Sequence, residues 1–340
     1  EWIKSTFFYI RILKNPKYYG LNFTYEKKKI DAEIEKLSKK ELHILSKCDI
    51  IKFNENGTDF VPTDLGKVMA KYCISLQSIK RFIDLKGNES LSDLLNEICQ
   101  CEELIQETQL RINERKALNL LNKNSKAKAI RFPMNTKIKS IYMKINCLLQ
   151  AAFGCLVISD ISMNQDLNKL LRSGQRVSKC LLEVVQLKHK SYNIVMNGIL
   201  LAKCFRAKIW YDSEYVTKQL NKIGFAMSTS LVEKGIKSFQ HVKDANPREI
   251  ESVLKKHPPF GNKLQDAVSG LPMYSMEIEQ IDKELHPTKA TVKIVVKINN
   301  FDSFKQKRLP NIYNSSYLII GNSDDKLICN EKVSDNYLIK

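Results

Sequence analysis

Motifs that bind nucleotides or metals are missing from this 340-residue sequence. It has no GxxxxGKS or GxxxxGKT loop to hold phosphates and no GxGxxG after a predicted strand. Its five histidines do not form a triad pattern with cysteine or serine, and its nine cysteines show neither a CxxC pair nor zinc-ligand spacing. We therefore expect buried, reduced thiols, and no catalytic site, metal site or cofactor in this segment.

Long apolar runs and a signal peptide are also missing. The longest apolar run, at residues 147–158, contains Gln150 and is too short to span a bilayer, so we expect no membrane partner. The sequence begins at Glu1 with no secretory pattern, from which we expect that it is cut from a longer chain.

Acidic residues are too few to balance the basic ones. The chain has 55 Lys and Arg against 37 Asp and Glu, a net charge of +18, while its 43% hydrophobic content is that of a folded protein. This excess favours a polyanionic partner, with nucleic acid ahead of an acidic membrane. A Lys-rich composition without a binding role is the alternative.

Hydrophobic periodicity predicts a mainly α-helical, multidomain chain. The predicted domains are a winged helix (1–75), a helical bundle (76–210), a helix–hairpin–helix region (211–272) and an antiparallel β-sandwich of immunoglobulin or fibronectin type (273–340). We expect the sandwich to be truncated. In the first domain we predict helices over 2–13, 24–36 and 39–47, followed by a hairpin that turns at Asn56-Gly57.

The helix predicted over residues 165–190 carries apolar and basic residues on opposite sides. Its apolar positions recur at steps of three and four. At roughly 100° per residue, a second row of residues, all of them basic, falls almost opposite these apolar positions on the helix. We call this second row the basic row: Lys169, Arg172, Arg176 and Lys179. Cations about 5–6 Å apart match successive phosphates of one strand. The alternative is the solvated face of an ordinary surface helix.

A further phosphate contact is predicted at Gly224. Short helices are predicted over 216–222 and 228–234, with Ile223-Gly224 between them. Glycine-containing loops of helix–hairpin–helix elements can offer backbone N–H groups to a phosphate. A glycine that simply ends a helix is the alternative of equal weight.

The predicted domain order and four motifs resemble the C-terminal cassette of superfamily-two helicases, which include archaeal DNA-unwinding and spliceosomal RNA-unwinding enzymes. The motifs are STFFYIR (5–11), NPKYYG (15–20), PTDLGK (62–67) and RFP (131–133). Three more resemble most closely the meiotic, crossover-promoting DNA helicases of this family: LRINERK (110–116), LAKCFR (201–206) and HPPFG (257–261).

The resemblance implies a noncatalytic segment of a nuclear, ATP-dependent DNA helicase of meiotic recombination. It implies that motor domains using ATP and Mg²⁺ precede this segment in the same chain, and that single-stranded or branched DNA and recombination proteins are partners. The helix at 165–190 would be the family's ratchet helix, with Arg176 and Lys179 at its basic contact positions.

Two features of this interpretation depart from the family or stay open. Archaeal relatives place an aromatic residue on the ratchet helix, but none occurs at 165–190 here, so we expect electrostatic contact instead of base stacking. A protein-interaction scaffold and an RNA-remodelling cassette of the spliceosomal type remain as alternatives.

Overall fold

The computed structural model describes residues 2–21, 27–56, 59–123, 129–281, 291–307 and 315–334. Within these ranges helices predominate and the sheets are small and antiparallel, which confirms the mainly α-helical prediction. The chain divides into two compact units, Glu1–Asp84 and Leu85–Lys340. None of the helices described combines the length and apolar character needed to cross a lipid bilayer.

The first unit consists of helices around one short hairpin. Its elements are α1 (Phe7–Lys14), α2 (Lys27–Lys47), β1 (Ile51–Phe53), β2 (Phe60–Pro62), α3 (Asp64–Tyr72) and α4 (Leu76–Ile83). Its core joins Tyr9 and Ile12 of α1 to Ile30 and Ile34 of α2, and the Tyr9 hydroxyl donates to Asp31 at 2.6 Å. Burial of these apolar faces holds α1 against α2.

The prediction of two helices over 24–36 and 39–47 was wrong, because α2 runs unbroken to Lys47. No Pro or Gly interrupts it, and the Ser38 hydroxyl donates to the Ile34 carbonyl at 2.8 Å, so the helix continues through the expected break. The predicted start at Thr24 lies outside the described residues, as does Gly57 of the predicted turn.

Six helices form the bundle of the second unit: α5 (Leu91–Cys99), α6 (Glu102–Ile105), α7 (Glu114–Asn122), α8 (Ile141–Phe153), α9 (Ile161–Lys188) and α10 (Tyr192–Ala207). Helix α8 is buried along most of its length. Helix α9 begins at Ile161, before the predicted residue 165, because the Asp160 carboxylate accepts a hydrogen bond from the Met163 amide and caps it.

Helices α9 and α10 pack side by side in opposite directions. Gly174 of α9 lies against Phe205 near the end of α10, whereas Leu182 lies against Gly198 near its middle. At Gly174 the absence of a side chain leaves room for the Phe205 ring, which a larger residue would displace. The end of α10 is therefore level with the N-terminal half of α9.

Smaller helices follow: a 3₁₀ turn (Val216–Gln219), α11 (Phe225–Glu233), α12 (Phe239–Asp244), α13 (Pro247–Leu254) and α14 (Phe260–Ser269). The predicted helix over 216–222 was wrong, since helical geometry ends at Gln219. Leu220 is extended, and it and Ile223 enter the core shared with Leu231 and Ile250. The free energy gained by burying both side chains exceeds what continuation of the helix would contribute.

The C-terminal region contains two separate two-stranded antiparallel sheets within the described residues. The elements are β3 (Tyr274–Gln280), β4 (Val292–Ile298), α15 (Phe301–Lys307), β5 (Ser315–Gly321) and β6 (Leu327–Ser334). Both hairpins line one largely apolar cavity of about 440 Å³. Helix α15 was not predicted; Phe304 anchors it as a fully buried side chain.

Candidate nucleic-acid interface

The basic row lies on the solvent face of α9. Lys169, Arg172 and Lys179 are exposed and Arg176 is half-buried, while the apolar positions opposite are buried. The four residues fall within an arc of about 80°, and Lys169 and Lys179 are separated by about 15 Å along the axis. The structure thus brings all four together on one accessible face.

The exposed face of α9 is positive between Lys169 and Lys179. The helix contains two acidic residues, of which Asp166 is buried and paired with Lys144, and Glu183 lies one turn beyond Lys179. Across the described residues, the ion pairs of the bundle are made by Arg111, Arg131 and Lys144 rather than by Lys169, Arg172 or Lys179. Three of the four cations are therefore available to an anion from solvent.

A buried charge cluster fixes the orientation of α9. Lys144 of α8 donates to Glu114 of α7 at 2.6 Å and to Asp166 of α9 at 2.7 Å. Arg111 completes the cluster at 3.0 Å from Asp166, and Lys144 also donates to the Gln109 carbonyl at 2.7 Å. Because α9 is held by Asp166 on its inner side, the basic row faces outward.

The pKa values of the two carboxyls reflect this pairing. Burial by itself raises the pKa of Glu114 and of Asp166, but hydrogen bonds from Lys144 and Arg111 outweigh burial and hold both pKa values below their ordinary range. Sequence reasoning missed the cluster. Lys144 lies in an apolar helix, and its partners are 30 and 22 residues away, beyond the reach of any helical spacing.

Gly224 occupies the start of α11 instead of the end of the preceding helix. Its φ of −87° and ψ of 176° are those of an extended N-cap residue, and its carbonyl accepts from the Ser228 amide at 3.0 Å. The helix-ending alternative is therefore wrong for this glycine. A Cβ added here would meet no atom within 4 Å, so the backbone is accessible.

Gly224 and the basic row belong to different helical groups. Helix α11 packs against α13 and the 3₁₀ turn, whereas α9 packs in the bundle. Across the part of the chain that the structure describes, no group of three or more His, Cys, Asp or Glu residues is placed to hold a metal ion.

Comparison with known proteins identifies the region. The family model described as the Sec63 Brl domain matches residues 62–336. All 340 residues align at 41% identity with the probable ATP-dependent DNA helicase HFM1 of Homo sapiens, covering 24% of that protein, and at 40% with its Mus musculus counterpart, also covering 24%.

A plant protein is similar over most of the chain. The ATP-dependent DNA helicase homolog MER3 of Arabidopsis thaliana is 31% identical over 294 residues, which are 83% of this chain and 25% of that protein. The chain spans about a quarter of the length of these relatives. The resemblance to a helicase cassette, predicted from the motifs, is confirmed.

Proposed function

The chain belongs to the Sec63 Brl domain family, and we propose that it is the noncatalytic, strand-guiding part of an ATP-dependent DNA helicase of meiotic recombination. The relatives that align over its whole length carry helicase names, which supports this role. Motor domains in the same parent chain would bind ATP and Mg²⁺, and the parent would act in the nucleus on single-stranded or branched DNA.

The observation that carries the proposal is the exposure of the basic row along one face of α9. In our proposal, Lys169, Arg172, Arg176 and Lys179 contact successive phosphates of one strand while the motor domains move it. Phosphate contacts carry no base information, so binding is independent of sequence. The buried cluster at Asp166 keeps the row in place as the strand passes.

The same proposal assigns a role to each of the other regions of the chain. The first unit acts as a winged helix, which is supported by its order of helix, hairpin and helix. The helices between residues 216 and 269 act as a helix–hairpin–helix region, in which the open backbone at Gly224 meets a phosphate. The two C-terminal hairpins belong to a sandwich that contacts recombination proteins.

A charge-reversal experiment tests the basic row. The variant Arg172→Glu with Lys179→Glu is compared with Lys293→Glu and Lys332→Glu, a control that reverses two exposed lysines on the C-terminal strands. Fluorescence anisotropy with a labelled thymidine 15-mer gives the affinity. We expect about tenfold weaker binding at low salt for the first variant and little change for the control. Equal affinities of the two variants would remove the basic row from the proposal.

A second candidate function, a scaffold for partner proteins, is favoured by the exposed apolar side chains of β3. Met276 and Ile278 are 57% and 64% exposed. Undiminished DNA affinity in the Arg172→Glu and Lys179→Glu variant would favour this candidate.

A 15-mer of uridine in the same titration separates a DNA role from an RNA-remodelling one, because 2′-hydroxyl contacts would favour the RNA.

A further inference from the structure

A second basic site lies at the C-terminal end of α10. A cavity of about 620 Å³ opens there, and we call it the α10 pocket. Its principal lining residues are Lys203, Arg206, Lys208, Trp210, Tyr211 and Lys218. Four cations and two aromatic rings therefore surround one concave surface, a combination typical of single-stranded nucleic-acid sites.

Two separate elements, α10 and the 3₁₀ turn, bring the cations together. Lys203 and Arg206 are on the last turns of α10, and Lys208 ends the helix with a left-handed φ of 57°. Lys218 comes from the 3₁₀ turn, and its ammonium donates to the Lys208 carbonyl at 3.0 Å. Cations are common at helix C-termini because of the helix dipole. Lys218 is not part of that helix, so the dipole does not account for the convergence.

Among the residues that the structure describes, no carboxylate lines the α10 pocket. The two acidic residues between Tyr211 and Lys218 in sequence are already paired: Asp212 with Arg131, and Glu214 with Lys237 at 3.0 Å. Neither of these two carboxylates is therefore free to neutralise the pocket, and its positive charge attracts an anion from solvent.

The aromatic side of the pocket is rigid at one ring and open at the next. The Trp210 indole N–H donates to the Ala129 carbonyl at 2.8 Å, and Trp210 is buried. Tyr211 keeps 47% of its surface exposed. The Arg131 guanidinium lies over both rings, 4.6 Å from the Trp210 centroid and 5.2 Å from that of Tyr211. Tyr211 is thus an exposed ring positioned by its contact with Arg131.

The α10 pocket lies level with one end of the basic row. Because α9 and α10 are antiparallel and Gly174 contacts Phe205, the residues after Phe205 lie at the same height along the bundle as the turns of α9 that carry Lys169 and Arg172, although α10 packs on the side of α9 opposite the basic row. A strand that follows the basic row towards the N-terminus of α9 therefore approaches this end of the bundle.

We propose that the α10 pocket binds one nucleotide of the same single strand. Lys203, Arg206, Lys208 and Lys218 hold its phosphate, and its base stacks on the exposed ring of Tyr211. The site supplies the aromatic contact that α9 itself lacks. This inference rests on the proposed function, since it assumes that the chain binds single-stranded DNA.

The phosphate contact is tested on the 340-residue chain by Lys203→Glu with Arg206→Glu. The comparison includes Arg172→Glu with Lys179→Glu on the basic row, and Lys293→Glu with Lys332→Glu as the control of equal charge change. We expect the pocket variant to bind the thymidine 15-mer about tenfold more weakly at low salt. Its slope of log affinity against log salt should be smaller by about 1.4, or about 0.7 for each lost contact.

The base contact is tested by Tyr211→Ala, with Tyr211→Phe as the matched variant that keeps the ring. We expect Tyr211→Ala to weaken binding of the thymidine 15-mer by about fivefold or more, with no change for an abasic 15-mer. Tyr211→Phe should match the wild type on both. Equal weakening of both oligonucleotides by Tyr211→Ala would overturn the stacking role.

The outcomes separate this inference from the proposed function. A pocket variant that binds like the control, while the basic-row variant weakens, overturns the α10 pocket and leaves the proposed function standing. If the pocket variant weakens binding while the basic-row variant binds like the control, the α10 pocket is supported and the basic row is no longer part of the proposed function. Competition by a polyglutamate peptide as effective as competition by unlabelled thymidine 15-mer overturns a nucleotide site, because it identifies a pocket for any anion.

Discussion

The ring of Phe205 fills the space beside Gly174, so that a Cβ added to this glycine would lie 2.2 Å from Phe205 Cε1. Phe205 is buried and packs edge-to-face on Phe153, with 5.1 Å between the two ring centroids, so its ring cannot move aside freely. We expect Gly174→Ala to lower the free energy of unfolding by about 1–3 kcal/mol, because overpacking outweighs the gain in helix propensity. Urea denaturation followed by circular dichroism measures the change.

The matched control for this prediction is Gly198→Ala on the facing helix. There the added Cβ would meet Leu182 Cδ1 at 3.3 Å, the end of a flexible side chain. We expect a change within about 0.5 kcal/mol of the wild type. If both alanine variants were equally stable, the close approach of α9 and α10 would not depend on Gly174.

The buried ammonium of Lys144 gives a second prediction. Its side chain and that of Glu114 are fully buried, and it also pairs with Asp166. Lys144→Met leaves buried carboxylates without their main partner, so we expect a loss of roughly 3–5 kcal/mol in the free energy of unfolding. Lys139→Met, at an exposed position, should cost less than about 0.5 kcal/mol.

Adding Glu114→Gln to Lys144→Met tests the cause of that loss. The double variant removes one uncompensated charge, so we expect it to be more stable than Lys144→Met alone, a coupling that a double-mutant cycle reports. A double variant whose cost equals the sum of the two single costs would show that the two groups do not interact.

The same cluster predicts a fall in stability at low pH. The pKa values of Glu114 and Asp166 are lower in the folded chain than their ordinary values of 4.5 and 3.8. The unfolded chain then binds more protons, so the contribution of this pair is complete above those ordinary values and is lost as pH falls through the folded pKa values. Unfolding midpoints measured from pH 6 down to pH 3 check this. Glu114→Gln should show a shallower decline than the wild type, and an equal decline would contradict the assignment.

The predictions succeeded where the sequence pattern and the tertiary packing agree. The apolar positions of α9 recur at helical spacing, and burial of that stripe places Lys169 and Lys179 on the outer face. Local signals are equally reliable: Ser90 and Asp93 form a capping box at the start of α5, which depends on residues only three apart.

The predictions failed where distant residues decide the structure. The helix over 216–222 is cut short because Leu220 and Ile223 are needed in a core formed with later helices. Lys144 is indistinguishable from a misplaced surface lysine until Glu114 and Asp166 are brought beside it. The α10 pocket combines Lys203 with Lys218 and positions Tyr211 through Arg131, and only the folded chain brings these elements together.

The last prediction concerns the turn that joins the C-terminal hairpin to the bundle. The Asp325 carboxylate accepts hydrogen bonds from the Ser191 hydroxyl at 2.5 Å and the Asn193 amide at 2.7 Å, and the Leu327 amide donates to the Lys190 carbonyl at 2.6 Å. The Ser191 hydroxyl is the main reason that the pKa of Asp325 is lowered, so this contact is complete at neutral pH. We expect Asp325→Ala to increase amide hydrogen exchange severalfold in β5, β6 and the first turn of α10, since the released segment opens locally without global unfolding.

The matched control is Asp324→Ala, which changes an exposed neighbour in the same turn and should leave amide exchange as in the wild type. Equal protection in both variants would mean that the hairpin is held to α10 by its backbone contacts alone.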